Sequence, residues 1–476
     1  MTGRRLGATR SDSVSGPVRT RFPLRLEILL ARATGALSRF ARAGGGTTVP
    51  GKLLWKLDPA AVDELARRLP LGSALVSATN GKTTSAAMAA GILRGKLRLA
   101  HNGSGANLVS GVASTLLAAR GAELGLFEVD EAALPEVARR LRPRAVCLGN
   151  LFRDQLDRYG ELEIVAERWR GAVQQLPGNS ALVVNGDDPQ VGDLGHDREP
   201  ATRTVFGVDD PRHSHPHLQH AADSKWCIRC GTAYEYAAAY IGHLGDYRCP
   251  ACGHTRPPLD VVARGIELDG IERVSFDLVT PEGSGRVQLR VPGLYNVYNA
   301  LGAASLAMAL GASLDEIRQG LEGFHAAFGR FERIELGGKS LLVLLIKNPA
   351  GANEAIRTLL TGEAPKLLLV ALNDATADGR DVSWIWDVDF EPLLPALEQL
   401  VATGDRAAEL ALRFKYAGFD ERAIKVIPKL EAALDVALEL TPPGGELVAL
   451  PTYTAMLALR DIVARRGFVR QYWEAA

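Results

Sequence analysis

Short apolar runs and longer amphipathic stretches alternate along the chain from about residue 50 onward. A short apolar run between polar residues predicts a buried strand, and an Ala- or Leu-rich stretch of helical periodicity predicts a helix. Predicted strands cover residues 74–76, 124–129, 145–148, 181–184, 274–278, 285–291, 341–346, 366–372, 397–402, 423–427 and 446–449. Predicted helices cover residues 59–69, 85–93 and a stretch ending at 310. Strands that alternate with helices are typical of an α/β fold.

The first 45 residues differ from this pattern. Residues 1–20 mix Arg, Ser, Gly and Thr without periodicity, which predicts a disordered start. Residues 24–43 interleave Leu, Ile and Phe with four arginines, which predicts a basic amphipathic helix. Such a helix can lie on an anionic membrane surface, but packing against the next domain with its arginines in solvent is the favoured interpretation.

Composition excludes several classes of protein. The 476 residues suggest about three domains. The 55 Lys and Arg balance the 55 Asp and Glu, so no overall basic field favours nucleic acid. No apolar run approaches the roughly 18 residues of a membrane span, and no secretion signal is recognisable. With its cysteines in CxxC pairs, the protein is predicted to be cytoplasmic.

Residues 77–84, SATNGKTT, stand between a predicted strand and a predicted helix. Small residues let backbone N–H groups close around phosphate oxygens, Lys82 adds a charge, and Thr83 is placed to hold Mg²⁺. The candidate ATP-binding residues of this loop are Thr79, Asn80, Gly81, Lys82, Thr83 and Thr84. The general P-loop pattern has a glycine where this chain has Val76, so a simple Gly-containing turn stays open as an alternative.

Acidic or amide side chains follow three of the predicted strands. They are Glu128, Asp130 and Glu131, then Asn150 and Asp154, then Asn185, Asp187 and Asp188. Ligands bind at the carboxyl ends of parallel strands, so these clusters beside a phosphate loop point to Mg²⁺ and nucleotide. Any one cluster alone would more simply cap a helix or close a turn.

Two CxxC pairs, Cys227 with Cys230 and Cys249 with Cys252, are each followed by glycine. Their spacing predicts a Cys₄ zinc ribbon over about residues 222–258, and four sulfurs make that zinc structural. His213, His215, His217 and His220 are interpreted as solvated loop residues rather than ligands, and Cys147 as a small core residue.

Past the ribbon, Asn296 and Asn299 are three residues apart and therefore lie on one face near a helix start, where amides can meet a base or phosphate. Strands and helices beyond about residue 333 then predict a further α/β domain of ordinary size.

Four motifs in order give the chain a family resemblance: the P-loop, NGDDP at 185–189, GLYNVYNALGAA at 293–304 and GRFE at 329–332. With them the chain resembles the Mur ligase superfamily, whose own loop also lacks the glycine replaced by Val76. The resemblance implies a Mur ligase-like P-loop ATPase domain over residues 46–332 with an inserted zinc ribbon, and a C-terminal Rossmann-like α/β domain over 333–476. It also implies ATP-dependent carbon–nitrogen ligation through an acyl phosphate.

A narrower resemblance rests on the ribbon and on residues 148–161, 347–351 and 372–391. These are similar to the ligase-like subunits of lipid II isoglutaminyl synthases. That implies amidation of the α-carboxyl of D-glutamate in lipid II, with ammonia from a GatD glutaminase, in the cytoplasm or peripherally at the inner membrane face. Gln155 stands where ordinary Mur ligases have histidine, and residues 161–175 lack the lysine that those enzymes carbamoylate.

Roles for individual residues follow from the resemblance. Lys82 would stabilise the phosphates, Thr83 and Glu128 would hold Mg²⁺, and Arg330 would neutralise the transferring group. Asn299 and Asn296 would contact adenine. Lys347 and Asn348 would close on the nucleotide. For Arg330 and Lys347 an interdomain ion pair is an equal alternative.

None of the five cysteines has the setting of a glutaminase nucleophile, so glutamine hydrolysis is assigned to another chain. By resemblance, one of Asp374, Asp378 and Asp381 completes the Cys/His pair of that partner into a triad, and Asp378 is chosen. Its alternative is a helix cap. Trp384, Trp386 and Phe390 are interpreted as either partner contacts or buried core.

Two rival functions stay open at this stage. One is a Mur or folylpolyglutamate-type ligase that adds an amino acid, against which the missing lysine and the ribbon count. The other is a nucleotide-gated zinc-ribbon binding module, against which the zero net charge counts.

Overall fold

The computed structural model describes residues 48–103, 105–154, 161–220, 222–325 and 330–469. The predicted disordered start and amphipathic helix, residues 1–45, lie outside the described residues. Gln155, which replaces the histidine of ordinary Mur ligases, lies outside them too.

Two α/β units make up the described chain. The first contains α1 (Val49–Leu57), α2 (Ala60–Ala66), β1 (Ser73–Ser77), α3 (Lys82–Arg94), β2 (Leu99–His101), α4 (Val109–Ala118), β3 (Leu124–Glu128), α5 (Leu134–Leu141), β4 (Ala145–Leu148), α6 (Leu162–Gln174), β5 (Ala181–Asn185), α7 (Pro189–Gly192), β6 (Arg203–Val208), β7 (Glu235–Ile241), β8 (Leu244–Arg248), β9 (Val261–Asp269), β10 (Arg273–Thr280), β11 (Gly283–Leu289), α8 (Leu294–Ala309) and α9 (Leu314–Glu322).

The second unit contains β12 (Arg330–Glu335), β13 (Ser340–Leu344), α10 (Pro349–Leu359), β14 (Leu367–Ala371), β15 (Gln399–Thr403), α11 (Ala407–Tyr416), β16 (Ile424–Val426), α12 (Leu430–Leu440), β17 (Glu446–Pro451) and α13 (Tyr453–Arg465). Short 3₁₀ helices cover Pro200–Thr202, Pro211–His213, Ser383–Asp387, Glu391–Leu393 and Glu421–Ala423.

The sheet of the first unit has the strand order β11-β10-β9-β6-β5-β4-β1-β3-β2. In that order, the strands from β9 through β2 are paired in parallel, whereas β10 pairs antiparallel with both β9 and β11. Because β1 pairs with β3 on one side and β4 on the other, the P-loop that follows β1 lies beside the polar ends of both neighbours.

Helices cover both faces of this sheet. Successive strand side chains point to opposite faces, so Ala74 and Val76 pack into the core with α3 and α8, while Leu75 packs into the core with α2, α4, α5 and α6. A strand buried on both faces reads as a continuous apolar run, which explains why the pattern predicts β1.

The strands β7 and β8 form a separate antiparallel hairpin within the segment that joins β6 to β9. The two CxxC pairs flank this hairpin along the chain, at 227–230 and 249–252. The hairpin with its flanks is called the ribbon below.

The sheet of the second unit has the order β12-β13-β17-β14-β15-β16 and is parallel except for β12. The strand β12 begins at Arg330, so the domain boundary predicted at residue 332 lies inside this strand. The loop after β13 carries Lys347 and Asn348 and leads into α10, which brings the second unit to the P-loop.

Candidate active site

Gly81 gives the P-loop its close approach to α8. Its φ of 85° lies in the left-handed region, and it stands immediately before α3. A Cβ atom there would lie 1.9 Å from Oδ1 of Asn299. Any other residue would therefore push the loop away from α8, so the glycine holds the predicted loop and the predicted amide together.

Lys82 and Glu131 form a buried ion pair at the start of α3. The Lys82 Nζ lies 2.7 Å from Oε2 of Glu131 and also donates to the Thr79 carbonyl at 3.2 Å. Burial alone would lower the pKa of Lys82, but the charge and hydrogen bond of Glu131, together with the charges of Glu128 and Asp130, offset burial and the pKa is raised. The lysine is thus kept cationic within the loop. Sequence reasoning grouped Glu131 with an acidic cluster but assigned it no role.

Glu128 ends β3 beside the P-loop, as predicted, and is buried. Asn107 Nδ2 donates to its Oε1 at 3.3 Å, and its Oε2 has no hydrogen-bond partner among the described residues. A buried carboxylate oxygen without a hydrogen-bond partner is suited to bind a cation. The second candidate ligand, the Thr83 hydroxyl, follows Lys82 in the first turn of α3. The residue types present therefore fit Mg²⁺.

The second unit reaches the P-loop through the loop before α10. Lys347 Nζ lies 2.6 Å from Oδ2 of Asp154 and donates to the Thr79 carbonyl at 2.9 Å. Asn348 Nδ2 donates to Oδ1 of Asn80 at 3.0 Å. The interdomain ion pair considered for Lys347 is present, and its partner Asp154 is buried, with a pKa that burial raises.

Arg330 is the first residue of β12, and its side chain lies outside what the structure describes.

Asn296 and Asn299 lie on one face at the start of α8, as predicted. Asn299 Nδ2 donates to Oδ1 of Asn296 at 3.0 Å, and Asn296 Nδ2 donates to the Pro292 carbonyl at 2.7 Å. Ser85 Oγ contacts Oδ1 of Asn299 at 3.3 Å. Asn296 therefore positions Asn299, and Asn299 is the amide that faces the loop.

A cavity opens beside the P-loop, between the first unit, the ribbon and the second unit. Polar lining comes from Asn80, Gly81, Asn150, Asn299, Lys347 and Glu354, and apolar lining includes Phe152, Ile241, Leu244, Tyr295, Tyr298 and Phe331. Sequence reasoning missed Glu354 and the hairpin residues Ile241 and Leu244, since no local motif marks them.

The four predicted zinc ligands come together. The sulfurs of Cys227, Cys230, Cys249 and Cys252 all lie within 4.8 Å of one another. Cys227 and Cys252 are 3.5 Å apart, and Cys230 and Cys249 are 3.4 Å apart. Tetrahedral zinc would separate its sulfurs by about 3.8 Å, given Zn–S distances near 2.3 Å. The cluster therefore forms a potential metal site whose donor set fits zinc.

Matching turns build the two halves of this site. Gly231 N donates to the Cys227 carbonyl at 2.8 Å, and Gly253 N donates to the Cys249 carbonyl at 3.0 Å. Both glycines have positive φ, 75° and 73°. Each CxxCG segment thus folds as the same tight turn and points its two sulfurs to one centre.

The histidines near the ribbon are not all solvated, contrary to the sequence interpretation. His213 Nε2 contacts the Ile266 carbonyl at 2.9 Å. His215 is half-buried against Arg357, and burial followed by the Arg357 charge lowers its pKa to about 4. Cys147 is a buried core residue, as expected, and burial raises its pKa to about 12.

The three aspartates considered for the partner's triad differ in their contacts. Asp374 Oδ2 pairs with Arg406 Nε at 2.9 Å, and Asp381 Oδ1 accepts from the Ser383 N–H at 2.9 Å. Asp378 is buried, and its carboxylate accepts from the backbone N–H and the hydroxyl of Thr454. Asp378 therefore contacts the first turn of α13, and burial raises its pKa.

Phe390 belongs to the core of the second unit. It is fully buried and packs on Phe414 with 4.5 Å between ring centroids, so its interpretation as a partner contact is wrong. Trp384 is partly buried against the same core. Trp386 is 47% exposed and lies beside Tyr416, which is 74% exposed.

Comparisons with known proteins agree with this geometry. The family model "Mur ligase middle domain" matches residues 76–225, and the model "MurT ligase C-terminal" matches residues 345–456. The subunit MurT of the lipid II isoglutaminyl synthase (glutamine-hydrolyzing) of Streptococcus pneumoniae is 33% identical over 94% of this chain and 99% of its own length. The chain belongs to the MurT family. The predicted class, an ATP-dependent carbon–nitrogen ligase of the Mur type, is thereby confirmed.

Solved structures support the fold. A pseudomurein peptide ligase type C from Methanothermus fervidus is similar with a TM-score of 0.67 and 22% identity, over 85% of this chain and 80% of that one. MurF from Thermotoga maritima, solved with ADP, is similar with a TM-score of 0.61 and 14% identity, over 88% of this chain and 84% of that one. The predicted Mur ligase-like α/β fold is confirmed.

Among the described residues, no helix has both the length and the apolar character needed to cross a membrane.

Proposed function

We propose that this MurT family member amidates the α-carboxyl of D-glutamate in the stem peptide of lipid II, giving D-isoglutamine. The observation that carries the proposal is the near full-length match to a relative named as a subunit of lipid II isoglutaminyl synthase. The residues around the P-loop supply the groups that such a reaction requires.

ATP would bind with its phosphates in the loop that begins after β1. The N-terminus of α3 and the cationic Lys82 favour the anion there, and Asn299 faces the loop from α8. Lys347 and Asn348 would close on the nucleotide from the second unit. A MurF ligase of the same fold was solved in complex with ADP, which supports nucleotide binding by this chain.

Amidation would proceed through an acyl phosphate, because a carboxylate oxygen is a poor leaving group. The carboxylate oxygen attacks the γ-phosphorus of ATP and ADP leaves. Ammonia then adds to the carbonyl carbon, and the amide forms as phosphate departs and a proton is released. Lys82 and the loop N–H groups would stabilise negative charge in the first step, and Arg330 would neutralise the transferring group.

Two metals fit the residues present. Thr83 and Glu128 would hold Mg²⁺, which when bound offsets phosphate charge. Cys227, Cys230, Cys249 and Cys252 would hold structural zinc, which would keep the ribbon against the cavity.

A GatD-type glutaminase would deliver the ammonia, because free ammonia is mostly protonated in neutral water. The glutamine-hydrolyzing name of the relative supports this partner. Asp378 is proposed to orient the histidine of the partner's Cys/His pair. Its two oxygens already accept from Thr454, yet each carboxylate oxygen can accept a further hydrogen bond.

The reaction would take place in the cytoplasm, at the inner membrane face where the lipid II substrate is carried. The domains predicted over residues 46–332 and 333–476 would then act as the ATPase unit and the glutaminase-contacting unit. Trp386, exposed beside Tyr416, suits a contact with that partner.

The decisive experiment is mass spectrometry of lipid II after incubation with this protein, its co-expressed glutaminase, ATP, Mg²⁺ and glutamine. A mass loss of about 1 Da, from hydroxyl to amide, that vanishes with Lys82→Ala would support the proposal. Arg422→Ala serves as a control, because Arg422 is an exposed side chain that pairs locally with Asp420. An unchanged mass, or the addition of a whole amino acid, would overturn it in favour of an ordinary ligase.

A further inference from the structure

One carboxylate in the wall of the cavity has no role in the reaction described above. Glu354 lies on α10 and is only 3% exposed. Neither of its side-chain oxygens has a hydrogen-bond partner within the described part of the chain. Arg357, almost one turn further along the helix, approaches Oε1 only to 3.8 Å, which is too far for a hydrogen bond.

A buried carboxylate without a donor is costly, because it loses its hydration and gains nothing in return. Burial accordingly raises the pKa of Glu354 to about 7. Apolar residues, among them Phe152, Leu244 and Ala355, line much of the same cavity. A ligand that brings its own donors would relieve this cost.

The position of Glu354 relative to the P-loop indicates which part of a ligand it would meet. The first turn of α10 lies against the loop, since a Cβ atom on Gly351 would come 3.9 Å from Oδ1 of Asn80. Ala350, Gly351, Glu354 and Ala355 lie on one helix face and all line the cavity. Glu354 is therefore roughly 5 Å further along the helix axis from the loop. If the phosphates occupy the loop, this is the place of the nucleoside.

Two aromatic rings in the cavity wall suit a base. Tyr295 of α8 and Phe331 of β12 are nearly stacked, with 6.2 Å between centroids and 27° between planes. Both rings line the cavity that contains Glu354. Aromatic rings stack on any base, whatever hydrogen-bonding groups the base carries. Discrimination among nucleosides must therefore come from a polar group such as Glu354.

We propose that Glu354 is a specificity-determining residue of the nucleotide site, and that its carboxylate accepts hydrogen bonds from donor groups of the nucleoside. The donors are the ribose hydroxyls or the exocyclic amine of adenine, which share the chemistry that a carboxylate recognises. The inference rests on the proposed function, because it takes the cavity to be the ATP site.

The test compares dissociation constants, measured by calorimetry with Mg²⁺ present, for ATP, 2′-deoxyATP, 3′-deoxyATP and purine riboside triphosphate. The proteins are the wild type, Glu354→Ala, Glu354→Gln and the control Glu363→Gln, whose substitution is on the exposed segment after α10. The wild type should prefer ATP by roughly 10- to 100-fold over the analogue that lacks the recognised donor. Glu354→Ala should reduce that preference to near one, and Glu363→Gln should keep it.

The two kinds of analogue identify the source of the donor. If Glu354→Ala loses the preference for ATP over a deoxy analogue, the donor is a ribose hydroxyl. If it loses the preference for ATP over purine riboside triphosphate, the donor is the exocyclic amine of adenine. Glu354→Gln keeps the volume and one acceptor, so it should lose the preference in part, and it carries the test if the alanine variant fails to fold.

Equal preferences in the wild type and both Glu354 variants, or no preference in any protein that binds ATP, would overturn the inference while leaving the proposed function intact. A wild type that binds none of the four nucleotides would overturn the proposed function as well.

Discussion

The buried pair of Lys82 and Glu131 determines how the P-loop carries its charge. An isolated buried lysine tends to lose its proton, whereas this one is held 2.7 Å from a carboxylate. The charge of Lys82 is therefore present before any phosphate arrives. Removal of either partner would leave the other buried and uncompensated, which is more damaging than loss of an exposed pair.

Glu354 should make stability depend on pH in a way that a single variant can reveal. Its pKa is raised from 4.5 to about 7, so between those pH values the folded chain keeps a proton that the unfolded chain has released. The free energy of unfolding should therefore fall as pH rises through that window, by on the order of 3 kcal/mol for this group. Thermal unfolding midpoints should fall from pH 4.5 to 8 in the wild type relative to Glu354→Gln.

Asp187 is also buried, with a pKa that burial raises to about 6, but it is present in both proteins and cancels in the comparison. If the thermal unfolding midpoints of the wild type and of Glu354→Gln change in parallel across the pH range, the carboxylate of Glu354 is ionised at little cost in the folded chain.

Asp378 should be needed for amidation driven by glutamine and not for amidation driven by added ammonium. If it orients a histidine of the glutaminase, Asp378→Asn should lower glutamine-driven amidation by roughly 100-fold or more, while amidation driven by added ammonium stays close to wild type. Both rates are read from the mass of lipid II. Asp381→Asn is the matched control, since Asp381 is exposed and accepts from the nearby Ser383.

A parallel loss of both rates in Asp378→Asn would point to a different role. It would mean that Asp378 acts only through Thr454, as a support for the start of α13.

At the scale of elements, the ribbon forms part of the cavity wall. Ile241 and Leu244, at the tip of the β7–β8 hairpin, line the cavity. Arg256, just after the second CxxCG turn, donates to Asp187 at 3.1 Å, and Asp187 in turn accepts from Tyr298 at 2.6 Å. The ribbon is thus joined to α8 and to the cavity by direct contacts.

Zinc removal should therefore weaken nucleotide binding. Chelation should raise the dissociation constant for ATP by about tenfold, equal to ~1.4 kcal/mol, because the hairpin and Arg256 lose their anchor. Calorimetry before and after chelation measures the change, and added Zn²⁺ should restore it whereas added Mg²⁺ should not. Cys227→Ser should behave like the chelated protein. Unchanged ATP affinity after complete zinc loss would refute this link.

The sequence pattern identifies strands that are uniformly buried and also strands such as β10, whose side chains alternate between buried and exposed. The strands β1, β3 and β4 are buried along their whole length and read as apolar runs. The pattern missed β6 to β9, because β6 begins with Arg203 and Thr204 and the hairpin strands mix exposed and buried positions. A three-residue strand such as β2 is too short to give any periodicity.

The residues of the candidate site also divide into those that local sequence spacing identifies and those that it does not. The P-loop and the CxxC pairs are contiguous, so local spacing is enough to find them. The pairs Lys82–Glu131 and Lys347–Asp154 join residues 49 and 193 positions apart, and Glu354 belongs to no motif. Their roles depend on how distant segments meet, which a single sequence does not reveal.

At the scale of the whole molecule, polar contacts hold the second unit over the cavity beside the P-loop. Lys347 pairs with Asp154, and Arg153 reaches Asp387 at 3.1 Å. Arg357 of α10 donates to the Tyr240 carbonyl at 2.8 Å and to the His213 carbonyl at 2.7 Å. The same helix carries Glu354 on its cavity face, so one helix both contacts the ribbon and forms part of the cavity wall.

Arg357→Ala should shift the two units toward a more open arrangement. Its loss removes two charge-assisted hydrogen bonds to main-chain carbonyls, each worth roughly 1–3 kcal/mol when a buried acceptor is left unsatisfied. Small-angle scattering without nucleotide should give a larger radius of gyration for the variant than for the wild type. The exposed and locally paired Arg422 offers the control Arg422→Ala, which should scatter like the wild type.

Saturating ATP should bring the Arg357→Ala variant back toward the compact form, because a nucleotide held by both units favours the closed arrangement over the open one. Identical scattering of all three proteins would mean that Lys347, Asn348 and the apolar contacts close the cavity without Arg357.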